Sequence, residues 1–379
     1  MKVVLVWNGP LSLPERRVLA RRELPLLQRL GAEGIRITVV LLGDDLSLTT
    51  DLRAANIEHE VLPFALPPRA GSLRRLPAAV VGLRRLLARV EPDLVEGDDV
   101  MPAIAAGLAA RSRSRAVIVY RRHHSGGRPP LIAASRVAAR LADRTLVSCE
   151  AMRHKAAADD RVSQDRVHVA TSGVVECRSV NALELSAARR EVGLGEGTRV
   201  IGVIARLRHA KGIDVLLDSL DHLGDMENVH VCIVGTGPDA QSLQLRAQRA
   251  PLPVHFLGNR DDVEPWITLA DVIAMPSRHE SLGRVTLEAM RAARPIVASR
   301  VGGLTDAVTD GVNGLLVPVE DPQALATALR MVLGDRVFAN RLGDAGRTRY
   351  QTRYTLEHMA EGWRSAWEHA LRAHRGSRS

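Results

Sequence analysis

At 379 residues the chain exceeds one ordinary domain and suits two, each of roughly 200 residues or fewer. Hydrophobic residues make up 46% and charged residues 25%, which excludes a disordered chain, and no run approaches the ~18–20 uninterrupted apolar residues of a spanning helix. The formal charge of +9 admits nucleic acid, an anionic membrane surface or a phosphate-bearing substrate as partner. Zinc-finger spacing, aromatic stacking motifs and basic-zipper heptads are all missing from the sequence, so nucleic acid drops out.

The first predicted element is a buried strand at Val3–Val6. It lacks the longer apolar region and small-residue cleavage site of a signal peptide. Asn8-Gly9-Pro10 follows as a strand-end loop, then a helix over Glu15–Leu30 and a strand at Ile37–Leu42. The segment Arg69–Arg89 sets Arg74, Arg75, Arg84, Arg85 and Arg89 among Leu and Val. It reads either as a sheet-covering helix with a solvated arginine face or as a basic amphipathic helix on anionic lipid. Further strands are expected at Leu94–Val95, Ala116–Tyr120, Thr145–Val147 and Val167–Val169. Asp98 and Asp99 follow the first of these, and Arg121-Arg122-His123-His124-Ser125-Gly126-Gly127 follows the second.

From Glu176 to Thr198 no strand pattern is present, and Gly193, Gly195 and Gly197 mark a domain junction there. The second half repeats the grammar of the first, with strands at Val200–Ile204, His230–Val234, Val254–Leu257, Val272–Met275, Pro295–Ala298 and Leu315–Val317. Continuous apolar runs of this kind suit strands buried on both faces of a parallel sheet. With helices such as Val215–Leu223 and Pro322–Leu333 between them, they predict doubly wound α/β domains. Two such sheets facing each other would make a cleft lined by strand ends. Thr355–His374 is a final helix whose Trp363 and Trp367, four apart, read as packing anchors. Cys149, Cys177 and Cys232 are unclustered, which points away from disulfides or zinc and toward a cytoplasmic setting.

Two charged loops carry the chemistry. After the strand Val200–Ile204 comes Ala205-Arg206-Leu207-Arg208-His209-Ala210-Lys211-Gly212. A guanidinium fork and an ammonium point charge at a strand end can hold a diphosphate and neutralise it as it departs, without a divalent ion. A plain solvated turn would also accommodate these residues. The second loop is Met275-Pro276-Ser277-Arg278-His279-Glu280-Ser281-Leu282-Gly283, followed by a helix bearing Glu288. On one continuous helix Glu280 and Glu288 would stand about 80° out of register and about 12 Å apart along the axis. With Gly283 as a break, Glu280 can sit in the loop and Glu288 one turn into the helix, both toward the strand ends. Carboxylates there can accept from several sugar hydroxyls, and free amides can face phosphate. Alone, the two glutamates also fit a surface loop and an amphipathic helix.

Together these loops resemble the donor half of the retaining GT-B glycosyltransferases of family 4. The resemblance runs on through Val272-Ile273-Ala274-Met275-Pro276-Ser277, Arg294-Pro295-Ile296-Val297-Ala298-Ser299-Arg300-Val301-Gly302-Gly303 and Asp310-Gly311-Val312-Asn313-Gly314-Leu315-Leu316-Val317, over about residues 195 to 335. It implies a GT-B fold: an acceptor domain over 1–178, a donor domain over 195–350, and a C-terminal helix at 355–374 packing back on the first domain. It also implies that Arg206 and Lys211 hold the diphosphate. Glu280 and the amides of Ser281, Leu282 and Gly283 would hold the donor sugar, and Glu288 the ribose. Gly235 and Gly237 resemble the family's turn near the donor, Arg260 ends the stretch that lines the base, and Gly9 stands in the family's first loop. His124 resembles the histidine that touches the donor sugar, with His123 as its rival, and Asp98 and Asp99 are weaker acceptor-side candidates.

The family implies retention by front-face substitution, no metal and no cofactor, a UDP- or GDP-linked hexose donor, and a glycan, lipid-linked or small-molecule acceptor. The protein would be cytoplasmic, with peripheral contact at the inner membrane face if the arginine helix meets lipid. Two departures stand out: Leu282 replaces the aromatic usual two residues after Glu280, and Asp306 replaces a glutamate. They bear on donor identity. The rival readings are a nucleotide-sugar epimerase or silent binder of the same fold, and an NAD-dependent oxidoreductase using Gly235-x-Gly237-x-x-Ala240 with Asp261.

Overall fold

The computed structural model describes residues 1–9, 23–64, 74–110, 116–123 and 129–376. The chain divides into two compact units, Met1–Val175 with Leu356–Ser379, and Glu176–Thr355.

The first unit holds a seven-stranded parallel sheet in the order β3-β2-β1-β4-β5-β6-β7. Its strands are β1 (Lys2–Asn8), β2 (Arg36–Leu42), β3 (Glu58–Leu62), β4 (Leu94–Asp98), β5 (Val117–Arg121), β6 (Arg144–Val147) and β7 (Val167–Val169). Successive side chains alternate between faces. Val3, Leu5 and Trp7 join one core with helices α1 (Leu24–Ala32) and α2 (Leu46–Ala54), whereas Val4 and Val6 join another. That second core is closed by α3 (Leu76–Val90), α4 (Val100–Ala110) and α5 (Pro129–Leu141). After it come α6 (Glu150–Asp160) and then the second unit. In α3 the apolar stripe Ala79, Leu83, Leu86 and Leu87 is buried, and Arg84, Arg85 and Arg89 lie on the exposed side. The helix therefore covers the sheet, as an amphipathic stripe does.

Strand β3 escapes sequence reading because Glu58-His59-Glu60-Val61-Leu62 carries charge and no apolar run. It pairs along the sheet's edge with β2, in register Thr38↔Glu58 to Leu42↔Leu62. Charged side chains are tolerated on such an edge and discourage stray pairing.

The second unit holds a six-stranded parallel sheet in the order β10-β9-β8-β11-β12-β13. The strands are β8 (Arg199–Ile204), β9 (Val229–Val234), β10 (Val254–Phe256), β11 (Val272–Met275), β12 (Ile296–Ser299) and β13 (Leu315–Val317). Residues 176–194, expected as part of a junction, belong to this unit. There α7 (Ala182–Glu191) starts on a capping box, Asn181 with Glu184, and packs on α10 (Glu264–Leu269). The remaining helices are α8 (Ile213–Ser219), α9 (Ala240–Ala247), α11 (Arg284–Arg291), α12 (Leu304–Ala307), α13 (Pro322–Gly334) and α14 (Arg336–Arg353).

The last helix, α15 (Leu356–Gly376), returns to the first unit and closes its Leu5–Trp7 core. Met359, Trp363 and Trp367 are buried there, and the two indoles meet edge to face at 5.5 Å. Trp367 Nε1 donates to Glu96 Oε2 at 2.7 Å, and the Arg121 guanidinium lies 4.5 Å over the Trp363 ring. The tryptophans thus anchor the helix by packing and also seal a buried charge cluster. Among the described residues no helix is long and apolar enough to cross a membrane.

Burial pushes the Glu96 carboxyl up to about 7, with Arg121 and the Trp367 N–H opposing that rise. A carboxyl raised in the folded state favours folding below its ordinary value near 4.5, and that stability is lost as pH rises through 7. The cost of Glu96→Gln should therefore shrink between pH 5 and pH 8. Urea denaturation read by tryptophan fluorescence checks this, because Trp7, Trp363 and Trp367 all report the first unit. A cost independent of pH would mean that Glu96 is ionised throughout.

Candidate functional site

In an open α/β sheet, ligands bind beyond the carboxyl ends of the strands where the strand order reverses. In the second unit that point lies between β8 and β11, which are hydrogen-bonded neighbours. The loop leaving β8 carries Arg206 and Lys211, and the loop leaving β11 carries Glu280. Topology alone therefore brings the two charged loops to one place.

Their geometry is specific. A 3-10 turn at His209–Lys211 ends on Gly212, whose φ of 62 opens α8. A Cβ on Gly212 would stand 1.9 Å from the Pro276 carbonyl oxygen, so only glycine allows the β8 and β11 loops to meet. Across that contact Lys211 Nζ pairs with Glu280 Oε2, and Ser277 Oγ donates to the same oxygen at 3.4 Å. The pair is mostly buried, at 18% and 9% side-chain exposure, so water screens it weakly. Arg206, on the same loop, is exposed, with no ion-pair partner among the described residues.

Arg278, which the sequence reading passed over, locks this arrangement. It donates to both carboxylate oxygens of Asp214 at 2.8 Å, to Glu320 Oε1 at 2.8 Å and to the His209 carbonyl at 2.8 Å. The hydrogen bond to Asp214 raises the arginine above its ordinary range and lowers the Asp214 carboxyl. The available signal was an arginine two residues before Glu280 facing an aspartate three after Lys211.

Gly235 and Gly237 support the Arg206 loop from behind. A Cβ would come within 1.9 Å of the Ala205 carbonyl oxygen at Gly235 and 2.0 Å of the Leu207 carbonyl oxygen at Gly237. Backbone amides close the contact: Ala205 donates to Val234 at 3.0 Å and Leu207 to Thr236 at 2.9 Å. The two glycines are thus used for loop packing, a job that a dinucleotide fingerprint would not require of them.

Gly283, at φ 73, caps the start of α11, and Leu282 turns its side chain into the interior. Glu288 is buried one turn into that helix, 3.1 Å from Arg284 Nε. Arg260 is engaged elsewhere in the unit. It donates to the Leu257 carbonyl at 3.1 Å, pairs with Glu191 of α7 and lies over Trp266. That guanidinium braces the β10 loop against α7.

In the first unit the strand order reverses between β1 and β4. Gly9 follows β1 there, its amide donating to the Leu42 carbonyl at 2.8 Å. Asp98 ends β4 and contacts both Arg121, at 2.9 Å, and His123. His124 lies outside the described residues. Among the described residues no group of three or more His, Cys, Asp or Glu side chains is placed to hold a metal ion.

Residues 198–335 match the family profile "Glycosyl transferases group 1", and residues 24–176 match "Glycosyltransferase Family 4". A D-inositol 3-phosphate glycosyltransferase of Jonesia denitrificans is 34% identical over 220 residues, 54% of this chain and 51% of that protein. The protein of the same name from Corynebacterium urealyticum is 37% identical over 198 residues, 47% and 46% of the two chains. The chain thus spans about half the length of the curated relatives it matches. In fold it is similar to Anabaena Alr3699/HepE in complex with UDP and glucose, with a TM-score of 0.81, 21% identity and coverage of 97% and 99%. It is also similar to WaaG, a glycosyltransferase involved in lipopolysaccharide biosynthesis, at a TM-score of 0.67 and 16% identity, with 96% and 98% coverage.

The loop contacts make a direct prediction. Gly235→Ala adds a methyl group against the Ala205 carbonyl at a φ of 138 and should cost roughly 1–3 kcal/mol. Gly195→Ala, where the nearest atom is 3.8 Å away, should stay within about 0.5 kcal/mol of the parent. Urea denaturation of the two variants measures the difference, and equal costs would refute the packing role.

Proposed function

Because this chain belongs to the glycosyltransferases of group 1 and family 4, as the two profiles across both its halves establish, we propose that it moves a hexose-type sugar from a UDP- or GDP-linked donor to an acceptor hydroxyl. The observation that carries this reading is the Lys211–Glu280 pair at the strand-order reversal of the second unit, with Arg206 beside it.

Each side chain then has a task. Arg206 and Lys211 supply two cations for a diphosphate that carries its charge on non-bridging oxygens. When Lys211 turns to phosphate, Glu280 is released to accept from sugar hydroxyls, so the apo ion pair holds both groups in place until the donor arrives. The amides of Ser281, Leu282 and Gly283, which follow Glu280 in the same loop, are assigned to the donor sugar, and Glu288, one turn into α11, to the ribose hydroxyls. With two cations neutralising the leaving group, the reaction proceeds without a metal or other cofactor.

Transfer occurs with retention, on the face from which the leaving group departs. The bond from the anomeric carbon to the phosphate oxygen breaks as the bond to the acceptor oxygen forms. The acceptor's proton passes to the departing diphosphate. The acceptor is a glycan, lipid-linked or small-molecule hydroxyl. Relatives named for inositol 3-phosphate favour a phosphorylated polyol within that range. The setting is cytoplasmic, and the exposed arginines of α3 are suited to contact with an anionic membrane face.

A thermal-shift panel of UDP, GDP, ADP, dTDP, their hexose conjugates and NAD tests the class. Saturation by a hundredfold excess over Kd corresponds to about 2.7 kcal/mol of added stability. One nucleoside diphosphate and its sugar should raise the melting temperature without added metal, and stabilisation by NAD alone would overturn the reading. Lys211→Ala and Glu280→Gln should each lower kcat/KM about a hundredfold or more, as loss of a charge-stabilising group does. Unchanged turnover in both would remove the site assignment.

A further inference from the structure

The amino-terminal edge of the first sheet, where β5, β6 and β7 begin, carries a cavity of about 390 Å³. All of its lining belongs to the first unit. Four separate elements meet around it. Arg140 comes from the last turn of α5, and Arg144 is the first residue of β6. Arg166 ends the 3-10 turn that leads into β7, and His374 stands in the last turn of α15.

The hydrogen bonds of these arginines leave most of their charge unspent. Arg166 Nη2 donates to the Ala139 carbonyl at 3.1 Å and the Ala142 carbonyl at 2.6 Å, closing the carboxyl end of α5. Arg144 Nη1 donates to the Asp143 carbonyl at 2.8 Å. Carbonyl partners hold a guanidinium in place without neutralising it. Arg140 is exposed, and its side chain makes no hydrogen bond or ion pair among the described residues. Elsewhere in the chain Arg121, Arg122, Arg278 and Arg330 are each matched to a carboxylate. The carboxylate that lines this cavity, Asp143, is committed already. Its Oδ2 accepts the Ile118 amide at 2.8 Å, and its Oδ1 lies 3.4 Å from His374 Nδ1. Asp165, beside Arg166, is bonded to Ser163. Arg144 Nε is shut off from water and has no hydrogen-bond partner among the described residues, a state that an anion close by would relieve.

We propose that this cavity is a binding site for a phosphate monoester, and that the bound anion fastens the end of α15 to α5 and β6. Guanidinium forks match the terminal oxygens of a phosphate, and its charge supplies what the protein withholds there. The cavity is several times the size of a phosphate ion, which leaves space for the organic group of an ester. A phosphorylated metabolite and the headgroup of phosphatidic acid share this chemistry. His374 lies on the helix whose Trp363 and Trp367 complete the first core, so an anion here strengthens that closure. Arg206 and Lys211 belong to the other unit, and the site stands apart from their role.

Isothermal titration of the full chain with inorganic phosphate at low ionic strength tests the site. Arg140→Gln and Arg166→Gln should each weaken binding about tenfold or more, as loss of a charged hydrogen bond does. Arg372→Gln, which removes an α15 arginine outside the cavity, should leave the affinity unchanged. Arg140→Gln breaks no contact of the fold, so its melting temperature should equal the parent's and unfolding cannot explain its loss. Lys211→Ala should still bind, and a loss confined to that variant would place the phosphate in the second unit and overturn the proposal. Hydrogen exchange read by mass spectrometry should slow over the last turns of α15 when the anion binds. Vesicles of phosphatidylcholine with and without phosphatidic acid form a second arm. Slowing with phosphate assigns the site to soluble esters, and slowing with phosphatidic acid vesicles alone assigns it to a lipid headgroup. Exchange that neither probe alters, or phosphate binding insensitive to Arg140→Gln, would overturn the proposal.

Discussion

The loops that carry Arg206, Lys211 and Glu280 lie against their neighbours backbone to backbone, and this contact distance constrains everything at that edge of the second unit. At Gly212 and Gly235 the space for a side chain is already occupied by a carbonyl oxygen 1.9 Å from where Cβ would stand. Loops that approach so closely can exchange backbone hydrogen bonds and need no long side chains to hold them. Arg206 is then left exposed at that edge, and Lys211 and Glu280 are left to pair with each other. Rigidity below and reactivity above follow from the same residues.

Charge is handled differently in the two units. In the second, Lys211 and Glu280 form an isolated pair that is mostly shielded from water, with Arg278 tying their loops together from the side. Breaking such a pair by removing one partner leaves a poorly solvated charge behind, whereas a ligand that offers phosphate to one and hydroxyls to the other replaces it. In the first unit, Arg121 gathers three carboxylates under α15 and Arg122 gathers two under α5 and α6. Buried networks of this kind fix a unique arrangement when their members are paired.

Much of this was readable in the residues. The apolar runs marked nearly every strand because parallel strands covered on both faces admit little else. β3 was lost because an edge strand can carry Glu58 and Glu60 at no great cost, so its pattern imitates a loop. Lys211 and Glu280 were legible as charges at strand ends, and the fold places them in contact. Arg278 was not, since an arginine in a polar loop has no local signature until Asp214 and Glu320 are seen around it. The Asp98–His123 contact joins residues 25 apart and depends on β4 and β5 being neighbours, which no local pattern encodes. Gly235 and Gly237 were seen as a turn near ligand, and their use against the Arg206 loop required coordinates.

The return of α15 to the first unit also bears on how the protein is made. The second unit is one unbroken stretch, Glu176–Thr355, and its core is complete once that stretch has been synthesised. The first unit begins earlier but includes Leu356–Ser379, so the face of its sheet around Leu5 and Trp7 waits for Trp363 and Trp367. Synthesis order and completion order are therefore inverted. On the ribosome, the amino-terminal sheet carries an uncovered apolar face through the whole translation of its partner, and that interval is when chaperones would have their purchase on the chain.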